Sequence, residues 1–207
     1  MKTKSKVDDE TLQVLQDSDS TKELLENASL AMLNANGVLA GLNLREVAER
    51  AGVNRGLVYH HFGSRDQLLR SALKRDLRDR LNQVTEGLSL PFNARVRQMM
   101  RTMIRHEPAL RLALLLLLDG KERVKLAPLK DQWLRSFAQD VEGRELPADL
   151  DQEAFLVLVS ALSYGYAVMR KSFAEEFDAD PVSMDWRVDA VLERLLKQGV
   201  MPPEEQV

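Results

Sequence analysis

Cysteine is absent from all 207 residues, which excludes disulfides, thiolate nucleophiles and cysteine-held metals. Histidine is scarce, with His60, His61 and His106 the three copies. Two of them are adjacent, but successive helical residues point about 100° apart and no third ligand lies nearby, so no metal is expected. No phosphate-cradling glycine loop occurs. His106-Glu107 stands just before Pro108 and reads as a helix end rather than an acid–base pair. An enzyme and a bound cofactor are therefore not expected. Long apolar runs are also missing: Leu112–Leu118 lies between Arg111 and Asp119, far short of the ~20 residues a bilayer requires, and reads as a core helix. No charged-apolar-small leader opens the chain, so a cytoplasmic protein without membrane association is expected. The length suffices to bury a core unaided by metal or disulfide.

What the chain has is apolar residues at three- and four-residue spacing, and nothing in it reads as strand. A helix is expected from about Thr21 to Asn36, with Leu24, Leu25, Ala28, Ala31, Met32 and Ala35 on one face and Gly37 at its end. Residues 1–20 lack a sustained stripe and are expected to form a mobile tail. Another helix, from Arg65 to about Asn82, places Leu68, Leu69, Ala72, Leu73, Leu77 and Leu81 inward. Beyond Pro91, helices are expected at about 93–106, 108–118, 121–143, 150–177 and 183–198, punctuated by prolines 108, 128, 147 and 181. The fold class is all-α.

The segment from Gly41 to Phe62 is the most informative. Asn43 can cap a helix that starts at Leu44, with Glu46 reaching back to the free backbone donors, and Gly52 can close it in a left-handed conformation. Asn54 supplies a second cap for Arg55–His61. Val47 and Val58 can join the two helices, leaving Arg55, Tyr59 and His60 outside. Two short helices on a tight turn are a DNA-reading arrangement. Charge supports this: residues 43–81 carry nine basic and five acidic residues, whereas residues 82–207 carry sixteen and twenty. The overall net charge of −3 hides this concentration of positive charge.

With the Arg45–Ala48 run, the AGVN turn, the Leu57–Phe62 block and Ser64-Arg65-Asp66 opening the next helix, residues 21–80 resemble the DNA-binding domain of the tetracycline-repressor (TetR) family. The resemblance implies a mobile tail (1–20), a helix-turn-helix domain (21–82), an effector-binding and dimerisation domain (83–200) and a C-terminal tail (201–207). In helix-turn-helix docking the second helix enters the major groove, and Arg55 is the natural base reader, with a phosphate contact the alternative. Gly56 lets the backbone approach. Leu57 departs from the family's frequent threonine or serine, which removes a hydroxyl contact and suggests a thymine methyl partner. Tyr59 resembles a phosphate-contacting family tyrosine, and His60 occupies an aromatic position facing the backbone. His61 lies near a phosphate, Arg65 stands where lysine is common, and Arg45 matches a position touching DNA.

The resemblance also implies a homodimer on a pseudo-palindromic operator, paired through the helix rich in Ser160, Ala161, Ser163, Gly165 and Ala167 and through the last helix. Candidate linings for a small apolar effector are Met99, Met100, Met103, Leu114, Leu117, Trp133, Phe137, Phe155, Leu158, Leu162 and Tyr166. Arg97, Arg101 and Arg105 form a basic stripe facing an acidic effector, DNA or solvent. The expected function is a repressor released by its effector. An activator or effector-independent regulator is the alternative within DNA binding, and a small-molecule carrier or enzyme the alternative outside it.

Overall fold

A computed structural model of the chain describes residues 4–36, 42–118, 120 and 125–199. Among these residues all regular structure is helical: α1 (Lys4–Asn36), α2 (Leu44–Ala51), α3 (Arg55–Phe62), α4 (Arg65–Gly87), α5 (Phe92–Arg105), α6 (Glu107–Leu118), α7 (Lys130–Glu142), α8 (Gln152–Glu176) and α9 (Pro181–Gly199). The all-α expectation holds. Gly37, Gly41 and the tail 201–207 lie outside the described residues.

Two boundaries differ for identifiable reasons. α1 begins at Lys4 rather than near Thr21. Residues 4–20 contain neither glycine nor proline, so no backbone breaker interrupts the helix; a missing apolar stripe bears on packing partners, not on coiling. α7 begins at Lys130 rather than near 121. Pro128 lacks an N–H and restricts Ala127, and the chain turns there, Lys130 N donating to the Ala127 carbonyl at 3.2 Å.

The chain divides into two units, Met1–Asp76 and Leu77–Val207, the division falling inside α4. In the first unit, α1 buries Leu25, Ala28, Met32 and Leu33, at helical spacing, while Leu24 turns outward. Val47 and Ala48 of α2, Val58 and Phe62 of α3, and Leu68 and Ala72 of α4 complete this core. The buried carboxylate of Glu26 ties α1 to α4, accepting from Ser71 and pairing with Arg75 Nε at 3.1 Å. A charge withdrawn from water needs such partners to be tolerable.

The second unit is built around α5, which packs on α8 and α9. Val96, Met99, Met100 and Met103 join Phe137, Leu156, Val159, Tyr166, Leu192 and Leu196 in one core. Burying side chains of this size contributes about 1.5–3 kcal/mol each before entropy is set against it. Arg95 is buried too: Nη1 donates to the carbonyls of Leu88 (3.3 Å) and Leu90 (2.9 Å), Nη2 donates to Asp140, and the guanidinium lies 5.9 Å from the Trp133 ring centroid. Despite this pairing, burial outweighs the attraction of Arg95 and pushes the Asp140 carboxyl above its ordinary value.

Glu107 opens α6 as a buried residue paired with Arg111 at 2.6 Å and Lys171 at 3.7 Å, while His106 contacts Gln83. The two adjacent side chains serve separate packing contacts. The apolar run of α6 is only partly core: Leu112 and Ala113 are buried, Leu114–Leu117 half-buried, and Leu118 exposed. α8 alone among the described helices is long and apolar enough to cross a membrane, with a third of its apolar window buried.

Candidate nucleic-acid interface

α2 and α3 are set by their caps. Asn43 Oδ1 accepts from Arg45 N at 3.0 Å, and its Nδ2 donates to Glu46 Oε1 at 2.8 Å. Glu46 thus braces the capping side chain instead of reaching back to a backbone donor. Gly52 ends α2 at φ 69°, its N–H bonded to the carbonyls of Ala48 and Glu49. Asn54 then accepts from Gly56 N at 2.8 Å and starts α3. Val47 and Val58 are fully buried, so the two helices are locked through valine side chains and the remainder of α3 is left outward.

On that outward side, Arg55 and Tyr59 stand one turn apart. Arg55 Nη2 donates to the Tyr59 hydroxyl at 3.3 Å, with Cζ 5.7 Å from the ring centroid. His60 is exposed beside them, its ring 5.2 Å from that of His61 in an edge arrangement. His61 is half-buried; burial, then His60, then Lys22 depress its pKa below the ordinary 6.5. Lys22 of α1 is therefore a further cation beside this surface, missed in the sequence because it lies outside the motif. Leu57 is half-buried, and Gly56 is constrained by the cap: a Cβ there would meet Asn54 Oδ1 at 3.2 Å.

Arg65 is exposed at the start of α4, where the Ser64 hydroxyl accepts from Gln67 N at 3.2 Å. Arg45 is exposed on α2, its Nε paired with Glu49 at 2.9 Å. An exposed pair of that kind is worth well under about 1 kcal/mol and yields readily to a phosphate. The first unit thus presents Arg55, Tyr59, His60, Arg65 and Arg45 to solvent. Among the described residues no group of three or more His, Asp or Glu could hold a metal.

Six of the nine principal candidate effector residues share one core, and three lie outside it. Met99, Met103, Trp133, Phe137 and Tyr166 are buried in the core of the second unit, joined by half-buried Phe155. Trp133 and Phe137 ring centroids lie 5.5 Å apart, as do those of Phe137 and Phe155. These rings pack against one another within the core. Leu117 is half-buried and outside that core. Leu158 and Leu162 are exposed at 65% and 46%, because α8 faces inward through Leu156, Val159, Ser163, Tyr166 and Ala167. Of the small residues expected to permit close helix approach, Ser163 and Ala167 are buried within the chain, whereas Val157, Leu158, Ala161, Leu162, Met169 and Phe173 face out.

The basic stripe on α5 is occupied as well. Arg97 pairs with Asp189 and with Glu193 (3.0 Å), Arg101 with Asp189 (2.8 Å), and Arg105 Nη1 donates to Gln83 Oε1 at 2.6 Å. Bonding to Arg97 holds the Asp189 carboxyl below its ordinary 3.8.

Residues 27–72 match the family model described as bacterial regulatory proteins, tetR family. The HTH-type transcriptional regulator BetI of Burkholderia ambifaria is 28% identical over 122 residues, 59% of this chain and 56% of that protein. This chain thus spans little over half the length of that curated relative. A structure of a gamma-butyrolactone receptor (ArpA-like protein) superposes with a TM-score of 0.57 at 18% identity, covering 89% of this chain and 100% of that one. One of a TetR-family transcriptional regulator from Rhodococcus sp. gives 0.58 at 19%, covering 86% and 99%. At that identity the likeness shows the fold.

Proposed function

We propose, from the premise that this chain belongs to the tetR family of bacterial regulatory proteins through its residues 27–72, that it is a homodimeric transcriptional repressor reading a pseudo-palindromic operator in double-stranded DNA. The observation that carries this is the outward face of α3, where Arg55, Tyr59 and His60 stand exposed on a helix capped by Asn54 and keyed to α2 by Val58. Arg55 reads a guanine edge. Tyr59, His60, His61, Arg65 and Arg45 hold phosphates, Gly56 and Leu57 pass close to the groove wall, and Lys22 adds a further phosphate contact.

Dimerisation supplies the second half-site. Leu158, Leu162, Met169 and Phe173 make an exposed apolar stripe along α8, and Val191 and Leu195 are exposed on α9. An apolar surface of this extent marks an interface between proteins. Release by a small molecule bound in the second unit completes the reading.

Selection of bound duplexes from a random library tests the proposal, with an inverted repeat expected and affinity falling steeply as salt rises. Absence of salt-sensitive duplex binding would overturn it. Deleting the gene separates repressor from activator, since reporter output rises for the first and falls for the second.

A further inference from the structure

Between the C-terminal half of α5 and the first turns of α9 lies an open cleft of about 270 Å³. Met100, Ile104, Val182 and Trp186 give it apolar walls, and Arg101 and Arg105 stand on its α5 side. Trp186 is 68% exposed and Val182 57%, an unusual display for an indole with the core of its own unit within reach. This surface is separate from the apolar stripe on the same helix. At 100° per residue, Trp186 and Val182 lie roughly 140–180° around α9 from Val191 and Leu195.

The charges of the cleft are sorted so that its carboxylates are spoken for. Asp189 is held by Arg97 and Arg101, and Asp185 accepts from Tyr166 (2.9 Å) and from Arg170 Nη2 (2.7 Å). Neither wall carboxylate is therefore left to repel an anion or attract a cation. Arg101 is about half exposed and bonds Asp189 through one nitrogen, and exposed Arg105 bonds the neutral Gln83 through one. A guanidinium carries five N–H donors, so both keep donors for an oxyanion.

We propose that this α5–α9 cleft binds a small amphipathic carboxylate, its oxygens paired with Arg105 and Arg101 and its apolar body laid on Trp186, Val182, Ile104 and Met100. The volume sits just below the ~300–1,000 Å³ of drug-sized pockets, which restricts the ligand to about one ring with a short acidic arm. Its role as the effector of a regulator rests on the reading above; binding itself does not.

The test is calorimetric titration of the full-length protein, without DNA, with 4-phenylbutyrate and with its neutral amide. The acid is expected to bind saturably, one per chain, and the amide about tenfold more weakly, the loss of a charge-assisted contact. Trp186→Ala and Arg105→Gln should each weaken the acid by about fivefold or more, and Arg105→Lys should recover part of the loss. Both side chains are exposed, and unchanged circular dichroism verifies that the variants fold. Equal binding of acid and amide, affinity untouched by the Trp186 and Arg105 changes, or no saturable binding each overturns the proposal. Operator binding is measured separately, with the Arg55→Ala protein expected to bind the acid normally, so failure of either reading is seen without the other.

Discussion

The Arg55 guanidinium rests on Tyr59, with Nη2 donating to the phenol oxygen at 3.3 Å and Cζ 5.7 Å from the ring. The residue suited to a base edge and the residue suited to a phosphate are thus coupled before either meets DNA. Arg55→Ala is expected to flatten preference at one base pair per half-site, by about 1–3 kcal/mol of discrimination. Tyr59→Phe keeps the ring and should weaken all sequences by about 1 kcal/mol. A double-substitution cycle on operator affinity checks the coupling; strict additivity would mean the contact has no part in recognition.

Arg65 should behave differently from Arg55. With the phosphate role proposed for it at the exposed start of α4, Arg65→Ala should lower affinity for every duplex nearly equally. The slope of log affinity against log salt should fall by about 0.9. Fluorescence anisotropy at several salt concentrations measures both, and a change in sequence preference instead would reassign the residue to base reading.

Two glycines separate backbone strain from capping. Gly52 sits at φ 69° with open space where a Cβ would go, so Gly52→Ala should cost about 1–2 kcal/mol from conformation alone. At Gly56 the φ is ordinary, but a Cβ would press on Asn54 Oδ1 at 3.2 Å and loosen the cap, a loss of about 1 kcal/mol. Urea unfolding gives both values. Asn54→Ala should remove most of the additional cost at Gly56 and none at Gly52.

Asp189 makes a stability contribution with a defined acid limit. Its folded carboxyl is held below 3.8, first by the Arg97 hydrogen bond, so the unfolded chain binds the proton more readily. The contribution is therefore full above pH 3.8 and lost as pH falls from there through the lower folded value. Asp189→Asn should lower the melting temperature at neutral pH, and the gap from the wild type should narrow as pH drops below about 4. A gap that is constant from pH 7 to 3 would mean that charge is not what Asp189 supplies.

Leu162, exposed on the outer face of α8, tests the assembly. Leu162→Glu changes no contact of the described core, so the fold should persist while sedimentation shifts to the monomer and operator affinity drops by at least about tenfold. A dimer that survives the charge would move the pairing surface away from this stripe.

The two capped helices α2 and α3 were legible in the sequence because their determinants are local. Asn43, Gly52 and Asn54 act within four residues of themselves, and the spacing of Val47 and Val58 forces their burial. Where a partner lies far along the chain, the sequence was silent. Nothing in the neighbourhood of Arg97 or Arg101 pointed to Asp189, and nothing near Glu26 to Arg75. The inward and outward faces of α8 were hard to read for a related reason. Leu158 and Leu162 resemble Leu156 and Val159 in composition, and the packing of α5, α6, α7 and α9 on α8 decides which arc turns inward.

Arg95 has an effect at a distance. Its guanidinium holds the carbonyls of Leu88 and Leu90 on one side and Asp140 on the other. The turn that follows α4 is thereby guyed to α7 through a single buried cation, like a mast stay fastened to the far deck. Any event that draws Asp140 away leaves that cation without its counter-charge in a dry interior, and the cheapest relief is for the turn to give way. The C-terminal end of α4 is thus followed by a turn anchored to α7, some fifty residues later in the chain.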